Sequence, residues 1–101
     1  RYGGEEFAVL LEDANEEGAI QLAERIRRDV EALTFDFDGR PVNVTLSLGI
    51  AAFPRDGGMP KELTDNADKA LYKAKSDGRN RTVSYSQVVV EVPATPALPT
   101  P

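Results

Sequence analysis

Two glycines followed by two carboxylates, Gly3-Gly4-Glu5-Glu6, stand directly before an apolar run of the sequence. Paired glycines favour a tight turn that leaves the backbone open, so a phosphate group could approach its N–H groups. A carboxylate at such a turn suits Mg²⁺, which takes one or two carboxylates together with substrate phosphates. Neighbours on a strand face opposite ways, so the two glutamates are expected to have different tasks. The alternative interpretation is a hairpin turn with two solvated glutamates.

Basic residues suited to a phosphorylated ligand lie far along the chain, at Lys75 and Arg79. Both fall near the end of a predicted helix, where a cation is also favourable without any ligand and can cap free carbonyls. Arg25 is predicted to be a solvated helix residue beside Glu24. The sequence contains no cysteine and no histidine, which excludes disulfides, thiolate metal sites and a histidine base.

Composition narrows the class of protein. A length of 101 residues allows one small domain. The 12 basic and 17 acidic residues give a net charge of −5, so no basic face for nucleic acid is indicated. No apolar run approaches the ~20 residues of a membrane span, and no signal peptide is seen. Arg rather than Met at position 1 predicts that further chain precedes this sequence.

The elements that must position these residues follow from periodicity. The apolar run 7–11 predicts a strand buried on both faces, and Asp13 with Glu16 predicts a helix N-cap pair. Apolar residues at helical spacing predict a helix over about 15–33. Asp38-Gly39 predicts a hairpin turn within 35–40, and alternation over 42–50 predicts one half-buried strand.

A second helix is predicted to begin at Pro60 and to end before Gly78, with a short strand over 81–85. Phe53 and Tyr72 are predicted to be core residues. The fold class is therefore an α/β (α+β) sandwich with helices on a mainly antiparallel sheet. Residues 87–101 form a proline-rich tail, expected to be extended and mobile.

Four segments, in order, resemble the GGDEF-domain (diguanylate cyclase) family, here with a Gly-Gly-Glu-Glu-Phe variant of the signature. They are Arg1-Tyr2-Gly3-Gly4-Glu5-Glu6-Phe7, Ala23-Glu24-Arg25-Ile26-Arg27, Val44-Thr45-Leu46-Ser47-Leu48-Gly49-Ile50-Ala51, and Ala67–Lys75 with Gly78-Arg79-Asn80. The resemblance covers about residues 1–86 and implies the C-terminal portion of the catalytic domain. It also implies a palm-like sheet of the nucleotidyl-cyclase and polymerase kind, here lacking its first strand and helices.

The resemblance also implies roles for single residues. Gly3 and Gly4 would shape the turn against GTP, and Glu5 and Glu6 would bind the catalytic Mg²⁺ (or Mn²⁺), with Glu5 helping to activate the attacking hydroxyl. Residues implied to contact nucleotide are Lys75 and Arg79, on the GTP phosphates, and Arg25, which matches a contact to the inhibitory product in some members.

The activity implied is condensation of two GTP into cyclic di-GMP at a homodimer interface, in a cytoplasmic bacterial signalling protein with an upstream sensory or receiver domain. In this family a metal-binding aspartate, the guanine-reading residues and an Arg-x-x-Asp inhibitory motif precede the signature, so the fragment alone is expected to be inactive. The alternatives are a catalytically silent domain that binds GTP or cyclic di-GMP, and a dimerisation module.

Overall fold

The computed structural model describes residues 6, 8–12 and 14–88. Within these residues helices and strands mix, which confirms the α+β fold class. The elements are α1 (Glu16–Ala32), β1 (Phe35–Phe37), β2 (Arg40–Val42), β3 (Leu48–Ile50), α2 (Pro60–Ser76) and β4 (Thr82–Ser84). Residues 85–88 form a further helical turn. The start of the motif, Arg1 to Glu5, and the tail beyond 88 lie outside the described residues.

Helix α1 confirms the predicted helix but not its predicted cap. The side chain of Asn15 accepts a hydrogen bond from the backbone N–H of Gly18 at 2.8 Å. Asn15 has an extended backbone and directly precedes the first helical residue, which is the geometry of an N-cap. Asn15 is therefore the N-cap of α1, and Asp13, the predicted cap residue, lies outside the described residues.

The hairpin of β1 and β2 is antiparallel and places Phe35 opposite Val42. Its turn consists of Asp38, with φ 55°, and Gly39, with φ 81°. Positive φ at both central residues is what a two-residue type I′ turn requires, and it matches the twist of the flanking strands. The predicted hairpin is therefore confirmed.

The predicted single strand over 42–50 was wrong. Strand β2 ends at Val42 and β3 begins at Leu48, with irregular chain between them. Because β2 pairs with β1 whereas β3 pairs with β4, the chain must change sheets within this segment. The side-chain amide of Asn43 donates to the carbonyl of Leu33 at 2.6 Å, which holds the segment against the end of α1.

Strands β3 and β4 are parallel, with Leu48 opposite Thr82, so the two pairings among the described residues are one antiparallel and one parallel. A mainly antiparallel sheet stays a prediction. The connection through α2 returns the chain to the same end of the sheet, as in a β–α–β unit. Gly49 allows the close approach of β3 to α2, because a Cβ at this position would lie 2.3 Å from the carbonyl oxygen of Ala67. A small core of Ala70, Ala74 and Val83 fills the contact between α2 and β4.

The ends of α2 agree with the sequence prediction. Pro60 is the first helical residue, and the carboxylate of Glu62 accepts hydrogen bonds from the N–H groups of Gly58 at 2.9 Å and Met59 at 3.2 Å. Gly78, with φ 122°, follows the C-cap residue Asp77. Glycine suits this position because it adopts positive φ at little cost.

Three predicted core features are exposed instead. Residues 8–11 form no strand, and Val9 and Leu10 are 81% and 84% exposed, because no described strand pairs with this run. Phe53 is 68% exposed and Tyr72 is 74% exposed. Helix α2 buries the face that carries Ala70, and Tyr72 lies about 200° around the helix from that residue.

None of the described helices combines the length and apolarity that a membrane crossing requires.

Candidate functional site

The structure brings the acidic motif and the predicted phosphate-binding lysine together. The ammonium nitrogen of Lys75, in the last turn of α2, lies 3.4 Å from Oε2 of Glu6. Both side chains are a little over one third exposed, at 37% and 36%. Gly3, Gly4 and Glu5 lie outside the described residues, so the contact concerns Glu6 and Lys75, and the predicted roles of all five residues stay predictions.

A shallow cavity of about 260 Å³ lies at this ion pair. Its lining residues are Glu6, Asp68, Leu71, Tyr72 and Lys75. The cavity thus offers carboxylates, an ammonium group and an exposed aromatic ring to one bound molecule. Such a surface suits a ligand that combines phosphate with a flat apolar ring, because the ammonium attracts the phosphate and the ring can stack.

The second predicted phosphate contact, Arg79, lies just beyond the end of α2. The N–H of Arg79 donates to the carbonyl of Ala74 at 2.9 Å, and that of Gly78 donates to the carbonyl of Lys75 at 3.4 Å. These two bonds form a Schellman motif. The backbone of Arg79 therefore caps the helix, so the alternative in which its guanidinium supplies the cap is not needed. Arg79 is exposed and stands four residues after Lys75.

Asn80, which follows Arg79, was not identified as a site residue from the sequence, and neither was Arg27 of α1. The guanidinium of Arg27 donates to Oδ1 of Asn80 at 2.9 Å. The spacing of Glu24, Arg27 and Glu31 predicts ion pairs along α1. No comparable spacing rule predicts the contact between Arg27 and Asn80, which are 53 residues apart.

The ion pairs along α1 favour the ionised form of Glu24. Hydrogen bonds from Arg27 lower the pKa of Glu24 to about 2, and the carboxylate in turn raises the pKa of Arg27. Arg25 is exposed on the same helix. This agrees with the predicted solvated position of Arg25, while Glu24 pairs with Arg27 at 2.8 Å and with Arg28 at 3.7 Å.

The described residues contain no group of three or more acidic side chains arranged to hold a metal ion. Glu6 offers one carboxylate at the cavity, which fits Mg²⁺ as a partial donor set, because this ion is commonly held by one or two carboxylates and substrate phosphates. The ammonium of Lys75 already lies against that carboxylate. A bound cation and Lys75 would therefore compete for Glu6.

The structure is an α+β domain in which Glu6 and Lys75 meet at the wall of a small cavity. The sequence model of the family described as "Diguanylate cyclase, GGDEF domain" matches residues 1–81. The chain belongs to the GGDEF-domain family.

Curated relatives agree with that assignment. The chain is 46% identical over 81 residues to diguanylate cyclase A of Treponema denticola, a match of 80% of this chain and 22% of the relative. It is 44% identical over 85 residues to the response regulator PleD of Caulobacter vibrioides, covering 82% and 19%. It is 46% identical over 82 residues to diguanylate cyclase DgcP of Pseudomonas aeruginosa, covering 80% and 12%. The chain spans about a fifth or less of the length of these relatives.

Proposed function

We propose that this chain supplies one side of the GTP site of a diguanylate cyclase, which condenses two GTP into cyclic di-GMP and two diphosphates. The observation that carries the proposal is the 3.4 Å contact between Lys75 and Glu6. It links the end of α2 to the acidic motif in a chain whose relatives include proteins named diguanylate cyclases.

The basic residues are proposed to bind the triphosphate. Lys75 lies in the wall of the cavity, and Arg79 follows four residues later, just beyond the end of α2. An ammonium group acts as a compact point charge, whereas a guanidinium can hold two phosphate oxygens at once. Gly3 and Gly4 are proposed to form the turn that lets the nucleotide approach the backbone.

The acidic residues are proposed to hold Mg²⁺ (or Mn²⁺), with Glu5 and Glu6 as ligands. When bound, the ion neutralises phosphate charge and favours ionisation of the attacking hydroxyl. Lys75 exchanges Glu6 for a phosphate oxygen when GTP enters. Glu6 is then free to contact the cation. The ion pair thus keeps both charges partnered while the site is empty.

The reaction proposed is attack of the 3′-hydroxyl of one GTP on the α-phosphate of another, with diphosphate as the leaving group. Two attacks close the ring. Positioning and charge neutralisation are the main demands of phosphoryl transfer, and charged side chains meet them. Two domains facing each other in a homodimer are proposed to contribute one GTP each.

The isolated 101 residues are proposed to be inactive. The support is that the match covers only 22% of diguanylate cyclase A of Treponema denticola, so most of that relative has no counterpart in these residues. Residues 1–86 are proposed to be the C-terminal portion of a GGDEF domain, with 87–101 as a tail. A sensory or receiver domain earlier in the same protein and a cytoplasmic location are proposed with it.

Glu5→Gln in the full-length protein tests the activity. We expect the variant to lose cyclic di-GMP synthesis from GTP and Mg²⁺, measured by chromatography, because the amide is a poor metal ligand. Glu17→Gln is the matched control, since Glu17 is exposed in the first turn of α1. Unchanged synthesis by Glu5→Gln would overturn the proposal. A wild-type protein that binds GTP or cyclic di-GMP without synthesis would identify a silent regulatory domain instead.

A further inference from the structure

Asn80 is held by three side chains from two other parts of the fold. Its Oδ1 accepts a hydrogen bond from Nη1 of Arg27 at 2.9 Å, and its Nδ2 donates to Oε2 of Glu31 at 2.9 Å. Its backbone N–H donates to the hydroxyl of Ser47 at 3.0 Å. The amide side chain of Asn80 therefore bridges a cation and an anion on α1, while its backbone is tied to the segment before β3.

The guanidinium of Arg27 is held by Glu24 as well as by Asn80. Its Nε and Nη2 atoms donate to the two carboxylate oxygens of Glu24 at 2.9 Å and 2.8 Å. The side chain of Arg27 is only 14% exposed. A guanidinium held in this bidentate way presents its remaining N–H groups in a fixed direction. The pairing with Glu24 thus orients Nη1 of Arg27 towards Oδ1 of Asn80.

The segment that this network holds has an unusual backbone. Gly78, Arg79 and Asn80 have φ values of 122°, 62° and 50°. A Schellman motif needs one positive φ, which Gly78 provides. Arg79 and Asn80 follow with left-handed values that arginine rarely adopts and that asparagine tolerates better. Local preference does not hold Arg79 in this state, so tertiary contacts must hold it.

We infer that Arg27 and Asn80 are positioning residues for Arg79. The network on α1 keeps Asn80 and the residue before it in the left-handed conformation. This fixes the backbone from which the guanidinium of Arg79 would reach the triphosphate. Neither Arg27 nor Asn80 needs to touch GTP. The inference rests on the proposed function, because it assigns a task to Arg79 within the same nucleotide site.

Arg27→Lys tests the inference with charge retained, because lysine lacks the forked donors that reach both Glu24 and Asn80. In the full-length protein we expect the KM for GTP to rise about tenfold, the size of a lost hydrogen bond to a charged group, with kcat less affected. Arg28→Lys is the matched control. Arg28 neighbours Arg27, is 63% exposed and approaches Glu24 only to 3.7 Å. The Arg28→Lys variant should leave the KM for GTP unchanged.

Asn80→Gly removes the side-chain hydrogen bonds of Asn80 while still permitting its left-handed backbone. Glycine accepts the left-handed backbone but has no amide to meet Arg27 and Glu31. We expect a similar rise in KM. In the background of Arg79→Ala, neither Arg27→Lys nor Asn80→Gly should raise the KM further, because both act through the guanidinium that is already gone. A merely structural role would instead lower the melting temperature and give additive effects on KM.

The outcomes separate the inference from the function on which it rests. If Arg79→Ala raises the KM while Arg27→Lys and Asn80→Gly do not, the positioning inference is wrong and the phosphate role of Arg79 stands. If Arg79→Ala leaves the KM unchanged, that phosphate role is wrong and the inference fails with it. Should the wild-type protein make no cyclic di-GMP, the same variants are compared by calorimetric titration with GTP. Equal affinities of Arg27→Lys and Arg28→Lys would then overturn the inference.

Discussion

The ammonium of Lys75 lies 3.4 Å from the carboxylate of Glu6, across 69 residues of sequence. Both side chains remain more than one third exposed. Ion pairs at this level of exposure contribute little to folding, typically about 0–1 kcal/mol, because water screens the attraction. The pair can therefore exchange partners without loss of the fold, which is what a ligand-binding role for Lys75 requires.

Replacing Lys75 with glutamine should weaken GTP binding and leave stability almost unchanged. We expect a loss of affinity of about tenfold, the size of a lost charged hydrogen bond, and a change in unfolding free energy of less than about 1 kcal/mol. Calorimetric titration and urea unfolding measure the two effects. Lys61→Gln is the control, since Lys61 lies in the first turn of the same helix and, among the described residues, forms an ion pair with Asp65 at 3.1 Å. Equal GTP affinities of the two variants would contradict the role of Lys75.

Gly49→Ala should destabilise the protein. The added Cβ would lie 2.3 Å from the carbonyl oxygen of Ala67 and 2.4 Å from the backbone nitrogen of Leu71. Because these are backbone atoms, α2 would have to move away from β3, at a cost of about 1–3 kcal/mol or more. Gly58→Ala is the control, since in the described part of the chain no atom other than those of Gly58 and its two chain neighbours lies within 4 Å of its Cβ position. Urea midpoints that fall equally for both variants would show that packing at Gly49 is not tight.

Stability should decline in acid partly through Glu16. Hydrogen bonds from Arg55 and then from Ser84 and Ser86 lower the pKa of Glu16 from 4.5 to about 2. A depressed folded-state pKa gives stability that is fully present above pH 4.5 and is lost as the pH falls towards 2. Glu16→Gln should therefore flatten the fall of the unfolding free energy in this window.

Urea unfolding at a series of pH values measures that slope. Glu17→Gln changes the neighbouring exposed glutamate of the same helical turn and should keep the wild-type slope. If Glu16→Gln also keeps it, the network from Glu16 to Arg55 and β4 does not stabilise the folded state.

Tyr72→Ser should have little effect on stability, whereas Val83→Ala should cost on the order of 2 kcal/mol. Tyr72 is 74% exposed, but Val83 is 6% exposed and packs in the small core. Thermal unfolding compares the two variants. A larger loss of stability for Tyr72→Ser than for Val83→Ala would show that the ring of Tyr72 is packed in a core, as predicted from the sequence.

The sequence by itself determined what depends on neighbours along the chain. The two helices, the Asp38-Gly39 turn and Gly78 at the end of α2 follow from short-range periodicity and backbone preference. The family follows from its motifs. These features are local because a helix or a two-residue turn satisfies its own hydrogen bonds.

Tertiary structure alone decided the pairings. Alternation over 42–50 is compatible with one strand, but the partners of Val42 and Leu48 lie in different sheets. Two side-chain pairs were likewise not predicted from the sequence: Glu6 with Lys75, 69 residues apart, and Arg27 with Asn80, 53 residues apart. The residues adjacent to Glu6 or to Arg27 in the sequence do not identify a partner so far along the chain, because only the folding of the chain brings these side chains within hydrogen-bond distance.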